Sequence, residues 1–184
     1  MSVRALYGEY REKSSKSPIP LSGGQKAALS WAAIEDHDTV LDLDCRDTAA
    51  LGLISGSMNA QCFGLCRSDE DARHAGEILE SSAFAVREGS RLPYRDKMFH
   101  VIFSAQPGAR DHSPEELREI RRVMRPGAQL VFAGSLMDNR PRDCRALMQS
   151  LRECGFNNIS CRVSGFNRVI MAWRRPELPE RSGR

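Results

Sequence analysis

Six cysteines, at positions 45, 62, 66, 144, 154 and 161, are the side chains best suited to metal or redox chemistry. None forms Cys-x-x-Cys. Cys62 and Cys66 are four apart in a segment that reads as a strand, which would set them roughly 13 Å apart on one face, too far to share a metal. An even count suggests disulfides only in an oxidising compartment. The charged opening, Met1 to Lys13, has no apolar stretch of the secretory kind. The cysteines are therefore expected to be reduced thiols in a cytoplasmic protein. Asp111-His112-Ser113 holds the residue types of a catalytic triad, but adjacent residues cannot converge on one atom, and His112 is expected to be a solvated loop histidine. There is no phosphate-binding G-x-x-x-x-G-K-[ST], no zinc-protease H-E-x-x-H and no G-x-S-x-G elbow. Gly52-Leu53-Ile54-Ser55-Gly56 spells G-x-x-x-G, which outside a membrane means close helix packing.

The elements that must carry any site follow from periodicity and punctuation. Residues 1–21 are polar and close on Ser17-Pro18-Ile19-Pro20, the pattern of a flexible arm. A helix is expected from Gln25 to Ile34, then a doubly buried strand at 39–43. A helix from Thr48 to about Ser57 precedes a second strand at 61–65. Ser68-Asp69-Glu70-Asp71 opens a capped helix running to about Ser81, with an acidic first turn. Strands follow at 84–86 and 100–104. Ser113-Pro114-Glu115-Glu116 is a strong helix start, and that helix should reach Met124 and stop at Pro126-Gly127. A fifth strand lies at 129–133, and a helix over 142–154 ends at Gly155 in a C-terminal cap. Two strands, 160–163 and 168–173, joined by the turn Ser164-Gly165-Phe166-Asn167, should pair antiparallel. Residues 176–184 form a polar tail. Alternating strands and helices imply a mostly parallel sheet with helices on both faces.

Composition bounds the partners. The chain has 184 residues, 41% hydrophobic and 28% charged, the balance of one globular domain. No apolar run approaches the roughly 20 residues of a membrane span, so no membrane partner is expected. The net charge is +3, and of 27 basic residues only four are lysine. The arginines are scattered and not interleaved with aromatics, so nucleic acid is not indicated.

In this order the segments resemble the class I S-adenosylmethionine-dependent methyltransferases, in particular the small type 11 domain. Val40-Leu41-Asp42-Leu43-Asp44-Cys45-Arg46-Asp47-Thr48 resembles the family's V-L-D-L-G-C-G-T-G. Gly64-Leu65-Cys66-Arg67-Ser68 resembles G-V-D-x-S, and residues 88–102 resemble G-D-A-x-x-L-P-F-x-D-x-S-F-D-V-V. Leu117 to Leu130 resembles L-x-E-x-x-R-V-L-K-P-G-G-x-L, and Leu151-Arg152-Glu153-Cys154-Gly155-Phe156 resembles L-x-x-A-G-F. The resemblance spans about 22–175. It implies a Rossmann-like methyltransferase fold, a seven-stranded, mostly parallel α/β sheet with a C-terminal antiparallel hairpin. It also implies S-adenosylmethionine as cofactor, held at the carboxyl ends of the strands by residues at the positions of Asp42, Asp44, Arg46, Cys66, Ser90 and Ser104.

The departures from the family are concentrated in that set. Asp44, Arg46 and Thr48 occupy the three glycine positions of the first loop. Glycine there allows φ > 0 and a close backbone approach, whereas another residue at φ > 0 costs on the order of 1 to 3 kcal/mol. Cys66 replaces the acid that accepts the ribose hydroxyls, a loss of roughly 1.5 to 3 kcal/mol. Ser90 replaces the aspartate that faces the adenine amino group. His100, near the amino end of its strand, replaces an aspartate and is expected to matter structurally only. Asp42 remains, either as a partner for loop amides or as an orienter of the cofactor's amino group. Cys45 and Cys66 should be neighbours in this fold and could pair as thiols or ligate metal, although zinc usually takes four ligands. Two function classes stay open. One is methyl transfer to a small-molecule or protein acceptor. The other is a non-catalytic interaction module whose cofactor site has decayed. With so little chain outside the domain, the acceptor site should be shallow, or completed by a second copy or a partner chain.

Overall fold

The computed structural model describes residues 20–105, 112–138 and 140–176. The expected arm and tail lie almost wholly outside these, as do 106–111 of the loop before His112. Leu21, the last residue assigned to the arm, is buried in the core.

Helix α1 (Gly23–Trp31) leads into β1 (Thr39–Asp42). Helix α2 (Ala49–Ser57) and β2 (Gln61–Cys66) follow, then α3 (Asp69–Ile78), β3 (Ser82–Val86) and β4 (Phe99–Ser104). The second half is α4 (Pro114–Val123), β5 (Met124–Ser135), α5 (Pro141–Glu153), β6 (Phe156–Ser164) and β7 (Asn167–Arg174). One sheet contains all seven strands in the order β3-β2-β1-β4-β5-β7-β6. Pairing is parallel from β3 through β5 and antiparallel for β5–β7 and β7–β6. This is the expected Rossmann-like architecture, and the chain order reverses between β1 and β4, where such sheets open a crevice.

Alternation along the buried strands divides the core. Val40, Val101, Phe103 and Val131 face α1 and α2. Leu41, Ile102, Leu130 and Phe132 face α4 and α5 through Leu117, Ile120, Leu147 and Leu151. Continuous apolar runs such as Val101-Ile102-Phe103 are what a strand covered on both faces requires.

Several boundaries shift for identifiable reasons. Helix α1 starts earlier than expected because Ser22 and Gln25 form a reciprocal capping box. It stops at Trp31 because the buried Gln129 amide accepts from the Ala33 N–H (2.7 Å) and donates to the Trp31 carbonyl (3.0 Å). Pro126-Gly127 does not separate α4 from a later strand. Strand β5 begins at Met124, and the register jumps from Phe99↔Met124 to Val101↔Gln129. The pair sits in that bulge, Gly127 at φ +83, which is where a strand tolerates proline. Gly155 ends α5 at φ +85 as expected.

Candidate functional site

The crevice at the β1/β4 switch contains a cleft of about 290 Å³, lined by Asp42, Asp44, Arg46 and Asp47 on one side and by Gly134, Ser135, Asp138 and Asn167 on the other. The amino end of α1, with Ser22, Gly24 and Gln25, closes a third side. Asp47 fastens this wall: its Oδ1 accepts from Gln25 Nε2 (2.9 Å) and from the Ala49 N–H (3.0 Å). Asp47 thus caps α2, whose N-cap residue Thr48 makes no side-chain capping bond of its own, and holds α1 against the loop. Gln25, Asp47, Asp138 and Asn167 were not singled out from the sequence. The one local signal was the Ser22-x-x-Gln25 spacing. The other contacts cross the chain.

The loop without glycines avoids the strain that its sequence threatened. Among the described non-glycine residues only His37, Lys97 and Asn158 have positive φ, and none lies between Asp44 and Thr48. Arg46 is exposed on the rim and leaves the cleft open. Asp42 is 2% exposed, and its Oδ1 accepts from the Asp44 N–H at 3.1 Å. Burial raises its carboxyl from 3.8 to about 7, with the neighbouring Asp44 and Asp47 charges adding to the rise and the Asp44 N–H opposing it.

The other residues expected in the site lie outside the lining of this cleft. Cys66 and Ser104 are buried, Ser90 is exposed in the turn after β3, and none of the three lines this cleft. The Cys45 thiol donates to the Asp47 carbonyl (3.2 Å) and lies against the Cys66 sulfur. Burial pushes both thiols up, away from the thiolate that redox or metal chemistry needs. Among the described residues no group of three or more His, Cys, Asp or Glu could hold a metal. Over the carboxyl ends of β1 and β2, Arg67 Nε pairs with Asp44 Oδ1 at 3.4 Å.

His112 corrects an expectation. Its side chain is only 15% exposed, with Nδ1 3.0 Å from Glu116 Oε1, and its ring stacks on Phe132 at 4.3 Å. Glu116, buried in the first turn of α4, also pairs with Arg87. The contacts to His112 and Arg87 and the Ser113 cap hold Glu116 in place, so His112 is a packed, paired residue. His100, by contrast, lies away from this cleft as expected: it accepts from the Thr39 N–H at the opposite end of the sheet.

Gly24 sets the cleft's width. A Cβ there would stand 2.6 Å from the Ala105 carbonyl oxygen, a backbone atom at the end of β4. Gly24→Ala must therefore push α1 off the sheet. The expected cost is about 1 to 3 kcal/mol in urea unfolding, with weaker ligand binding in the cleft. Unchanged stability would show that α1 is not held at this distance.

No family model matches the chain. It is 27% identical over 194 residues to a malonyl-[acyl-carrier protein] O-methyltransferase of Marinomonas sp. (strain MWYL1), covering 91% of this chain and 72% of that protein. Among solved structures it superposes on a SAM-dependent methyltransferase from Aquifex aeolicus with a TM-score of 0.70 at 17% identity, covering 90% of this chain and 97% of that one. It also superposes, at a TM-score of 0.66 and 16% identity over 82% of this chain and 88% of that chain, on a chain from a complex of the Haloferax volcanii Trm112 methyltransferase activator with a putative methyltransferase. In sequence and fold the chain is similar to S-adenosylmethionine-dependent methyltransferases.

Proposed function

We propose that this methyltransferase-like chain binds S-adenosylmethionine in the β1/β4 cleft and transfers its methyl group to an acceptor. The observation that carries the reading is the open cleft at the switch point, with Arg46 on its rim rather than in its interior. The residues suit the amino-acid end of that cofactor. Asp42 and Asp44 offer carboxylates to an ammonium, and Arg46 offers a guanidinium to a carboxylate. At about 290 Å³ the cleft sits at the small end of ligand pockets, which run from roughly 300 Å³. The nucleoside end would therefore extend past it, over the end of β2. The Arg67–Asp44 pair lies there. With Arg67 64% exposed, such a pair is worth about 0.2 to 1 kcal/mol and yields readily to a ligand.

When bound, the cofactor supplies a sulfonium methyl for in-line attack. The protein's part is to hold the two reactants in line, which is where most of the rate comes from in such transfers. Asp47 and Gln25 keep the loop and α1 fixed, and Gly24 keeps them close to β4.

Binding should be weak, because Cys66 cannot accept from the ribose hydroxyls. One missing charge-assisted bond, roughly 1.5 to 3 kcal/mol, lowers affinity by about one to two decades. Calorimetric titration with S-adenosylmethionine and with S-adenosylhomocysteine tests this. Saturable heat below about 1 mM is expected for both. No heat up to that concentration overturns the reading and leaves the non-catalytic module.

The acceptor side favours a large or apolar partner. Met137 is 86% and Phe166 89% exposed, and the Leu136 N–H bonded to the Phe166 carbonyl joins their turns beside Ser135, Asp138 and Asn167 of the cleft. A protein partner seated there would complete the shallow acceptor site. No helix among the described residues is long and apolar enough to cross a membrane. A cytoplasmic location accords with this reading.

A further inference from the structure

The sheet has a second cavity at the opposite, amino end of β1, β4 and β5, about 450 Å³ in volume. It opens where the Pro126-Gly127 bulge takes residues 125–128 out of register with β4. Trp173, Val101, Pro126 and Ala128 make its apolar wall, while His100, Arg125, Glu35 and Asp38 bring charge. Its volume falls within the roughly 300 to 1,000 Å³ of small-molecule pockets, and it shares no lining residue with the methyltransferase cleft.

The hydrogen bonding inside it is incomplete. The Thr39 N–H donates to His100 Nδ1 at 2.9 Å, so in the neutral ring the proton sits on Nε2. Arg125 Nη1 lies 2.7 Å from that Nε2. Two donors thus face one another, and neither satisfies the other. No carboxylate lies within ion-pair distance of Arg125 among the described residues. A single oxyanion set beside the two, on the cavity side and within reach of both nitrogens, would accept from both, in the charge-assisted manner that guanidinium groups favour.

A simple anion does not suit the rest of the wall. Asp38 lies 3.7 Å from His100 Nδ1, and the Glu35 carboxylate lines the same cavity. These acids would repel an anion and attract a cation. A molecule carrying both charges answers both sets of groups, and the apolar wall with Trp173 accommodates a hydrocarbon side chain.

We propose that this cavity is a second binding site, for a small amino-acid zwitterion with an apolar side chain, its carboxylate against Arg125 and His100 and its ammonium towards Asp38 and Glu35. The site does not depend on methyltransferase activity, and its test reads binding alone.

The test uses the full chain with Trp31→Phe, so that Trp173 is the one remaining tryptophan. L-Leucine is titrated while Trp173 emission is followed. Isovalerate and isoamylamine, which lack the ammonium and the carboxylate respectively, run in parallel. Saturation with a midpoint at or below about 1 mM is expected for leucine, and midpoints at least about tenfold higher for each analogue. Arg125→Gln should weaken leucine by at least about tenfold, with the circular dichroism and thermal midpoint of the parent. Should that variant fail to fold, Glu35→Gln, on the exposed rim, should weaken leucine while leaving isovalerate unchanged or tighter. No saturation with leucine would overturn the proposal. So would isovalerate binding as tightly as leucine, or an unaltered titration in a folded Arg125→Gln protein.

Discussion

Asp42→Asn should make the protein more stable at pH 8 and nearly unchanged at pH 4. In the unfolded chain this carboxyl titrates near 3.8, whereas burial holds it at about 7 in the fold. Between those values the unfolded state has released the proton and the folded state keeps it. Stability is therefore fullest below 3.8 and lost as pH rises through 7, flattening above. A rise of about three pH units corresponds to about 4 kcal/mol at most, and relaxation of the site should leave on the order of 2 to 4. Asparagine keeps an oxygen for the Asp44 N–H and has no charge to bury. Urea unfolding of both proteins at pH 4, 6 and 8 should show a gap that opens with pH in favour of the variant. A gap that stays constant would mean that Asp42 titrates in the fold as it does in the unfolded chain. The functional counterpart has its own sign. A cofactor ammonium pairs with the ionised form, so wild-type affinity should climb as pH rises through about 7 and level off above it, a slope that Asp42→Asn lacks. On this reading the carboxylate is kept at a cost to stability, which is common for groups in binding sites.

Arg122→Ala should unfold the protein about 2 to 4 kcal/mol more easily. The guanidinium donates to the Tyr94 carbonyl (2.9 Å), the Leu92 carbonyl (3.1 Å), both Glu119 oxygens (2.9 and 2.8 Å) and Asp96 (2.6 Å). Glu119 in turn accepts from the Leu92 N–H at 3.1 Å. Its carboxylate, with Asp96 second, holds the Arg122 proton more firmly than usual. Most of the loss comes from the two carbonyls, since a buried acceptor left without a donor costs about 1 to 3 kcal/mol and Leu92 is 1% exposed. The Asp96 pair contributes little, because Asp96 is 70% exposed. Arg122→Lys should recover only a small part, since an ammonium cannot reproduce the planar fork. Hydrogen exchange at the Leu92 amide should quicken in both variants. Full stability in Arg122→Lys would show that charge alone holds the loop.

That network explains a stretch of sequence that was legible without being understood. Leu117-x-Glu119-x-x-Arg122 lies in one of the segments that carry the family resemblance, and the structure shows what Glu119 and Arg122 do at that spacing in this chain. Positions three apart share a helix face, and here the face clamps the loop following β3. The succession of strands and helices, the Gly155 cap and the Ser164–Asn167 hairpin were equally readable, because each depends on neighbours within a few residues. Boundaries failed where a distant residue intervened, as when Gln129 cut α1 short at Trp31.

The site divides along the same line. Sequence alone determined which residue types crowd the first loop, that its glycines were gone, and that Asp42 stood in a buried strand. Only the tertiary structure decided that the loop does without positive φ, that Arg46 stays on the rim, and that Asp47 and Gln25 join two helices. It also turned His112 from a solvated loop residue into one stacked on Phe132 and paired with Glu116. Backbone conformation at a single residue, desolvation and the meeting of side chains far apart in sequence are set by what packs around them. Local sequence carries no record of that packing, whereas periodicity and caps are local and survive in the sequence itself.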